Sequence, residues 1–560
     1  MSDAVTDPCT NGEDRAVADF ARERALIESE PVASSINDLV DQAAAAWRDE
    51  PAITFFQQPG AAYTFGDLRR LSCALAGVLH GVGVRHGTRV AVVLPNVPLY
   101  PLTWLALARL GSVMVPVNPR FTSDEMRFVL SDTKATHVIV EHACLATLRE
   151  AAAEGSAVAR IAVSSPDDPL ALVIDDEVVR LDVALEEPDF GTAVSAEDVI
   201  GIHYTSGTTG FPKGCVLTHR SWVVSATVAM RLLPSRPQRI LSDAPYFYLD
   251  APLETLCALV VGAEQYIADR VSLSRFATWL ADFDIDYVEM WDALGESVTD
   301  PEAEARLRER GRPLMCSSFG MTDEHRQALE ARLGAVIREM YGMTEIGLGT
   351  AVPFALVDSP PGSCGLAAPF RETRIVDPDT GVDVPVGGVG ELWVRGPGVF
   401  LEYHARPDVN QATRADGGWF RTGDLMRRDD HGFHFMVGRL KDMIRRSDEN
   451  IAAAEVEAAL TAVGIVQEAA VVGVPDPLRG EEVKAYIVLI SGLEPSTPAA
   501  LDILAMSARH LAPFKVPRYV EFVDELPLTG FVGAIHGRHQ AERRERSRKG
   551  IAHTGADLRG

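Results

Sequence analysis

The chain has 560 residues, of which 47% are apolar, and carries 53 Lys and Arg against 79 Asp and Glu, a formal net charge of -26. That length supports several domains and more than one buried core. The acidity argues against general nucleic-acid binding, which uses positive charge to displace phosphate counterions. It reads as a solvated surface, so a polyanionic substrate has to be met by local dipoles and a few cations.

In chain order, the N-terminal MSDAVTDPCTNGEDRAVADF lacks the basic start and apolar run of a secretory signal. Residues 1–35 are expected to be a disordered lead-in. From 36 to 200, helical patterns alternate with short apolar strands: FGDLRRLSCALAGVLHGVG and PLTWLALARLG read as helices, and RVAVVLP, SVMVPV and ATHVIV as strands. This rhythm implies parallel-sheet units. It returns over 239–340, where ILSDAPYF, QYIADR, DYVEMW and AVIREMYG are the predicted strands.

Between 362 and 438, short strands separated by Gly, Pro and Asp turns predict a small β subdomain. After Arg439, helices AAAEVEAALTAV and PAALDILAMSARHL alternate with strands EAAVVGVP, EVKAYIVLI and YVEFVDEL. The expected fold class is therefore α/β. A large N-terminal domain over 36–438, made of two doubly wound α/β subdomains plus the β subdomain, precedes a mobile α+β domain over 439–529. The basic, apolar-poor stretch 530–560 is expected to be a disordered tail.

No apolar stretch reaches the roughly 20 residues needed to cross a bilayer. The seven cysteines are widely spaced, with no CxxC pair. They read as free thiols in a reducing cytoplasm, and no zinc site is expected.

The densest chemical signal is YTSGTTGFPKG at 204–214. Glycines let backbone N–H groups approach phosphate, the hydroxyls of Thr205, Ser206, Thr208 and Thr209 donate, and Lys213 adds charge. The loop departs from Walker A, because Phe-Pro separates Gly210 from the lysine. No G-x-S-x-G elbow occurs, so no serine nucleophile of that kind is expected.

Several motifs carry a family resemblance from about 36 to 529: GVRHGTRVAVVLPNVPLY, VPVNPRFTSDEMRFVLSD, the Gly-rich loop, YGMTE at 341–345, GELWVRGPG, GWFRTGDL at 418–425, GRLKDMI at 438–444 and VGVPDPLRGEEVKAYIV. The chain resembles the acyl- and aryl-CoA synthetase branch of the adenylate-forming superfamily. The resemblance implies a two-step ligase. A carboxylate attacks the α-phosphate of ATP and releases pyrophosphate; a thiol, CoA or that of a carrier protein, then displaces AMP.

By the same resemblance, the ATP loop comprises Thr205, Ser206, Gly207, Thr208, Thr209 and Gly210 with Lys213. Tyr341 stacks on adenine, Thr344 contacts the α-phosphate and Glu345 holds Mg2+. Asp424 accepts the ribose hydroxyls with help from Arg439, and Lys441 is the hinge. These roles fit the residue types, since a hard cation bridging phosphates wants a carboxylate oxygen and a planar base an aromatic face. The implied partners are a small carboxylic acid and a thiol, with a homodimer left open; the implied location is the cytoplasm.

The sequence departs from the family at three places. Where relatives have Pro-x-Thr-x-x-Gly-Lys, this chain has Pro527-Leu528-Thr529-Gly530-Phe531-Val532-Gly533-Ala534, so the adenylation lysine is missing. Losing one preorganised charge of that kind costs about 10²- to 10³-fold in rate, unless Arg538 or Lys549 substitutes. Asp448 stands where relatives have glycine in the loop lining the CoA tunnel, and its charge opposes polyanionic CoA. In the acyl pocket segment, PYFYLDAPLETL, Tyr248 replaces a histidine and Asp250 is added. Asp250 is read either as a helix N-cap or solvated acid, or as a partner for an ammonium group, as in crotonobetaine or carnitine CoA ligases. Other readings are a carrier protein or amine as acceptor, and a catalytically impaired nucleotide- or acyl-binding homologue.

Overall fold

The computed structural model describes residues 10–152, 156–165, 168–181, 193–205, 212–290, 294, 300–356, 360–446, 449–476 and 479–526. The chain divides into two compact units: 1–205, 213–372 and 395–414 form the first, and 206–212, 373–394 and 415–560 the second.

The first unit begins with helix α1, Thr10–Ser29, inside the stretch expected to be a disordered lead-in. That expectation is corrected. Phe20 and Ile27 are buried, and Arg24 donates to the backbone carbonyls of Arg371 and Ala367, at 2.9 and 3.4 Å. A helix that is weakly amphipathic by itself is thus fixed by contacts more than 340 residues away.

Two sheets follow. One is built on the parallel strands β1 (Arg89–Val93), β2 (Val113–Pro116) and β3 (His137–Val140), which pair β2-β1-β3. β2 also pairs with β4 (Val199–Thr205), which forms an antiparallel hairpin with β5 (Lys213–Thr218). The other contains β6 (Arg239–Ser242), β7 (Glu264–Ile267), β8 (Tyr287–Met290), β9 (Leu314–Ser318) and β10 (Ala335–Met343), all parallel in the order β7-β6-β8-β9-β10. Antiparallel to β10 runs β11 (Gly347–Ala351).

The two expected doubly wound layers are present, each with its own core. Val115, Val138 and Ile202 centre one, and Leu241, Val288, Cys316 and Ile337 the other. Helix starts are locally encoded: Thr64 and Thr122 cap their helices in reciprocal boxes with Asp67 and Glu125.

The second unit contains an antiparallel sheet of β12 (Glu372–Val376), β13 (Val389–Arg395), β14 (Trp419–Arg428) and β15 (His434–Arg439). Its α+β portion comprises β16 (Met443–Arg446), β17 (Glu449–Ala452), helix α2 (Ala453–Thr461), β18 (Val466–Asp476), β19 (Gly480–Leu489), helix α3 (Thr497–Ser507) and β20 (Tyr519–Phe522). Residues 373–394 and 415–438, assigned by sequence to the large N-terminal domain, therefore group with the C-terminal residues, since α2 packs against β15. No helix among the described residues is long and apolar enough to cross a membrane.

Candidate active site

The Gly-rich loop joins two antiparallel strands and does not feed directly into a helix. Its ends are described: Thr205 pairs with Lys213 across the hairpin, and Thr205 Oγ1 donates to the Lys213 carbonyl at 3.4 Å. A helix starts only at His219, because the apolar Cys215, Val216 and Leu217 continue the sheet and the short strand Glu402–Tyr403 pairs on their outer side. Ser206, Gly207, Thr208, Thr209 and Gly210 lie outside the described residues, as do Asp448, Pro527–Ala534, Arg538 and Lys549.

Lys213, Tyr403 and Glu345 come together in the first unit. Glu345 sits in the turn after β10 and is 5% exposed. Its Oε1 accepts a 2.6 Å hydrogen bond from Tyr403 Oη, while its backbone carbonyl accepts from Phe400 N–H at 2.7 Å. Lys213 Nζ lies 5.2 Å from the centre of the Tyr403 ring. Burial, with the Glu345 charge second, pushes the Tyr403 phenol well above its ordinary value, so this tyrosine stays a donor. Burial likewise pushes up the Cys215 thiol beside Glu345, which leaves it an inert neighbour.

The YGMTE turn needs its glycine for close approach. A Cβ on Gly342 would lie 2.6 Å from the Gly347 carbonyl oxygen. Tyr341, half-buried on β10, and Thr344, in the turn, flank it. Beneath the turn, Arg371 is buried and donates through Nε and Nη2 to the Ile346 carbonyl, at 3.0 and 2.6 Å, and through Nη1 to Pro397 O at 2.6 Å.

In the second unit, a pocket of about 310 Å3 is lined by Thr422, Gly423, Asp424, Arg439, Leu440 and Lys441. The expected ribose acid, its arginine and the expected hinge lysine thus share one cavity. Asp424 and Arg439 are cross-strand partners on β14 and β15, with Arg439 Nε 3.0 Å from Asp424 Oδ1. Asp424 is almost wholly buried, whereas Arg439 is one-third exposed. Lys441 lies in the short 3-10 turn Leu440–Asp442.

Glu391, buried on β13, holds the motif from behind. It accepts from Gly423 N–H at 3.1 Å, Arg421 Nε at 3.0 Å and Trp393 Nε1 at 2.9 Å. Gly423 has φ +74°, the left-handed region that favours glycine.

The acyl-pocket expectation concerns Tyr248 and Asp250. Asp250 is the first residue of helix α4 (Asp250–Val261), but the N-cap position is Leu249 and makes no side-chain cap. The N-cap reading is therefore corrected. Asp250 is exposed, so the solvated-acid reading stands. Tyr248 is half-buried, with its ring centre 4.7 Å from that of Phe247. Burial raises the Tyr248 phenol; a weaker upward push from Asp250 is opposed by Arg120.

The profile of the AMP-binding enzyme family matches residues 40–404, and that of the AMP-binding enzyme C-terminal domain matches residues 455–530. The chain belongs to the AMP-binding enzyme family. This AMP-binding enzyme is 31% identical over 538 residues to a long-chain-fatty-acid–CoA ligase of Salmonella typhimurium, covering 90% of this chain and 93% of the relative. It is 29% identical over 520 residues to a crotonobetaine/carnitine–CoA ligase of Proteus mirabilis, covering 88% and 96%. Among solved structures it resembles ATP-bound MatB from Rhodopseudomonas palustris, with a TM-score of 0.77, 25% identity and coverage of 92% of this chain and 99% of that one.

Tyr403, Glu391 and Arg371 escaped the sequence reading. Glu391 was legible in principle, since it lies inside the quoted GELWVRGPG. Tyr403 and Arg371 lie outside any quoted motif and reach the site only through the fold.

Proposed function

We propose that this AMP-binding enzyme is an ATP-dependent, AMP-forming acid–thiol ligase. The observation that carries the reading is the buried Glu345 carboxylate, oriented by Tyr403, with Lys213 over the same ring. A single carboxylate suits Mg2+, which takes most of its remaining ligands from phosphate oxygens and water. Glu345 would hold the ion, and the ion would neutralise charge on the phosphates.

Lys213 and the hydroxyls of Thr205, Ser206, Thr208 and Thr209, with the backbone of Gly207 and Gly210, would grip the polyphosphate. Thr344 would donate to the α-phosphate and Tyr341 would stack on adenine. Asp424 would accept both ribose hydroxyls while Arg439, 3.0 Å away, holds it in place. One carboxylate oxygen of the acid attacks the α-phosphorus, forming a P–O bond as the bond to pyrophosphate breaks. The deprotonated thiol then attacks the acyl carbonyl, and AMP leaves with the electron pair of the C–O bond. Positioning and electrostatic stabilisation suffice, and no covalent enzyme intermediate is needed. We assign the hinge between these steps to Lys441 and the location to the cytoplasm.

Acid-dependent exchange of labelled pyrophosphate into ATP tests the first step, and Lys213→Ala and Glu345→Gln should each lower it. If no acid in a broad panel supports exchange while ATP still binds, the enzyme reading fails. Asp448 and Ala534 favour a second reading, in which transfer to CoA is weak or the acceptor is a carrier protein or an amine. Under it, Asp448→Gly raises thioester formation but leaves exchange unchanged. An unaltered thioester rate removes that argument.

A further inference from the structure

Helix α1 grips a buried arginine that in turn holds the Glu345 turn, a connection that the two ligase steps do not themselves require. Arg371 is 1% exposed, and no carboxylate pairs with it among the described residues. Burial lowers its guanidinium to about 10, which leaves it charged at neutral pH. It donates to backbone carbonyls only. Nε and Nη2 converge on Ile346 O, at 3.0 and 2.6 Å, while Nη1 reaches Phe370 O at 3.1 Å and Pro397 O at 2.6 Å. A buried cation without a counter-charge is costly. What it provides is a planar fork that ties three backbone segments together, which the point charge of a lysine does not.

Two of those segments close around Glu345. Ile346 is the next residue in the turn between β10 and β11. Pro397 leads into Phe400, whose N–H donates to Glu345 O at 2.7 Å. The Phe400 ring centre lies 4.8 Å from that of Tyr403, the donor to Glu345 Oε1. Arg371 therefore fixes both the turn that carries the carboxylate and the segment that orients it.

The third segment is where α1 acts. Phe370 has φ +61°, a left-handed conformation that is unfavourable for a bulky residue. Its carbonyl packs against Gly396, where a Cβ would lie 2.0 Å from the oxygen. Glu28 Oε1 accepts from Phe370 N–H at 2.8 Å, and one helical turn earlier Arg24 Nη2 donates to Arg371 O at 2.9 Å. The two side chains also hold each other, Arg24 Nε donating to Glu28 Oε1 at 2.8 Å. Helix α1 thus clamps the backbone on both sides of the Phe370–Arg371 peptide bond.

We propose that Arg371 is the positioning residue for the metal-holding turn, and that Arg24 and Glu28 set its place from helix α1. The proposal rests on the reading of Glu345 as the Mg2+ carboxylate. Without the clamp, Phe370 is free to leave the left-handed region, Arg371 shifts against Ile346 and Pro397, and Glu345 loses its fixed orientation. A carboxylate whose supporting contacts are lost binds its ion more weakly.

The test uses the full chain with Arg24→Ala, Glu28→Ala, both together, and Glu28→Gln, which keeps an acceptor for Phe370 N–H. None of these positions is among those assigned to ATP or the metal. Hydrogen exchange of the ligand-free protein reads the coupling directly. The Ile346 and Phe400 amides should exchange about threefold faster or more in each Ala variant. They should exchange no faster in the double variant than in the more affected single one, since both contacts serve one clamp, and near the wild-type rate in Glu28→Gln. In acid-dependent pyrophosphate exchange, the half-saturating Mg2+ concentration should rise about three- to tenfold in the Ala variants and about tenfold or more in Arg371→Lys, while kcat at saturating Mg2+ stays near the wild-type value. If no acid supports exchange in the wild type, the ligase reading falls, and the hydrogen-exchange pattern still decides the coupling. Faster hydrogen exchange confined to residues 10–29, with Ile346 and Phe400 unchanged, overturns the proposal. So does a fall in kcat with no change in the Mg2+ requirement, which would make the clamp a support for the fold alone.

Discussion

Asp243→Asn should flatten the dependence of stability on pH. Burial, assisted by the Asp250 charge, raises the Asp243 carboxyl to about 7, against an ordinary value near 3.9. The groups facing it are Asp250 and Glu254 from helix α4 and Glu289 from β8. Burial also raises Glu289, to about 8, with Asp250 and Asp243 adding to the effect. Between about pH 4 and pH 7 the native protein keeps a proton on Asp243 that the unfolded chain has released. Its stabilising share is therefore complete below pH 4 and is lost as pH rises through 7, at about 1.4 kcal/mol per pH unit.

Asparagine cannot titrate, so the variant should gain on the wild type by that slope from pH 5 to pH 7. For a unit of several hundred residues, this is about 2 °C in Tm per pH unit. Differential scanning fluorimetry at pH 5, 6, 7 and 8, without ligand, reads the difference. Parallel Tm curves for the two proteins would refute the reasoning, since they would mean that Asp243 is ionised in the native state throughout.

Tyr403→Phe removes the 2.6 Å donor to Glu345, and an under-satisfied buried carboxylate costs about 1–3 kcal/mol; exchange should fall about tenfold and need more Mg2+, as a titration of rate against Mg2+ would show. Glu391→Ala strips the acceptor from Gly423, Arg421 and Trp393, and should raise the KM for ATP together with a loss of about 1–3 kcal/mol in urea denaturation. Glu391→Gln should recover part of both. Arg24→Ala frees helix α1 from its two carbonyl anchors and should speed limited proteolysis near residues 10–29, with only a few tenths to 1.5 kcal/mol lost globally.

Much of the fold was legible because it is written in local periods. Alternating helical and apolar strand patterns identified both parallel sheets, and the strand–helix order after Arg439 follows from the same spacing. The chemistry of the Gly-rich loop, YGMTE and TGD was also readable, since each motif gathers its donors and acceptors within a few residues. Sequence alone thus determined the order of the elements and the reaction class to be tested.

Proximity between distant residues was decided only by tertiary structure. Helix α1 has little amphipathic pattern to announce it, and its order depends on carbonyls of Ala367 and Arg371. Tyr403 is 58 residues from Glu345 in sequence, and β-sheet pairing of Tyr403 with Cys215 brings it to the site. The gathering of Asp243, Asp250, Glu254 and Glu289 requires parallel strands and a returning helix to end at one place. Individually, each of these acids reads as a surface residue. Only the fold buries Asp243 and Glu254 beside the other two acids, and that changes their chemistry.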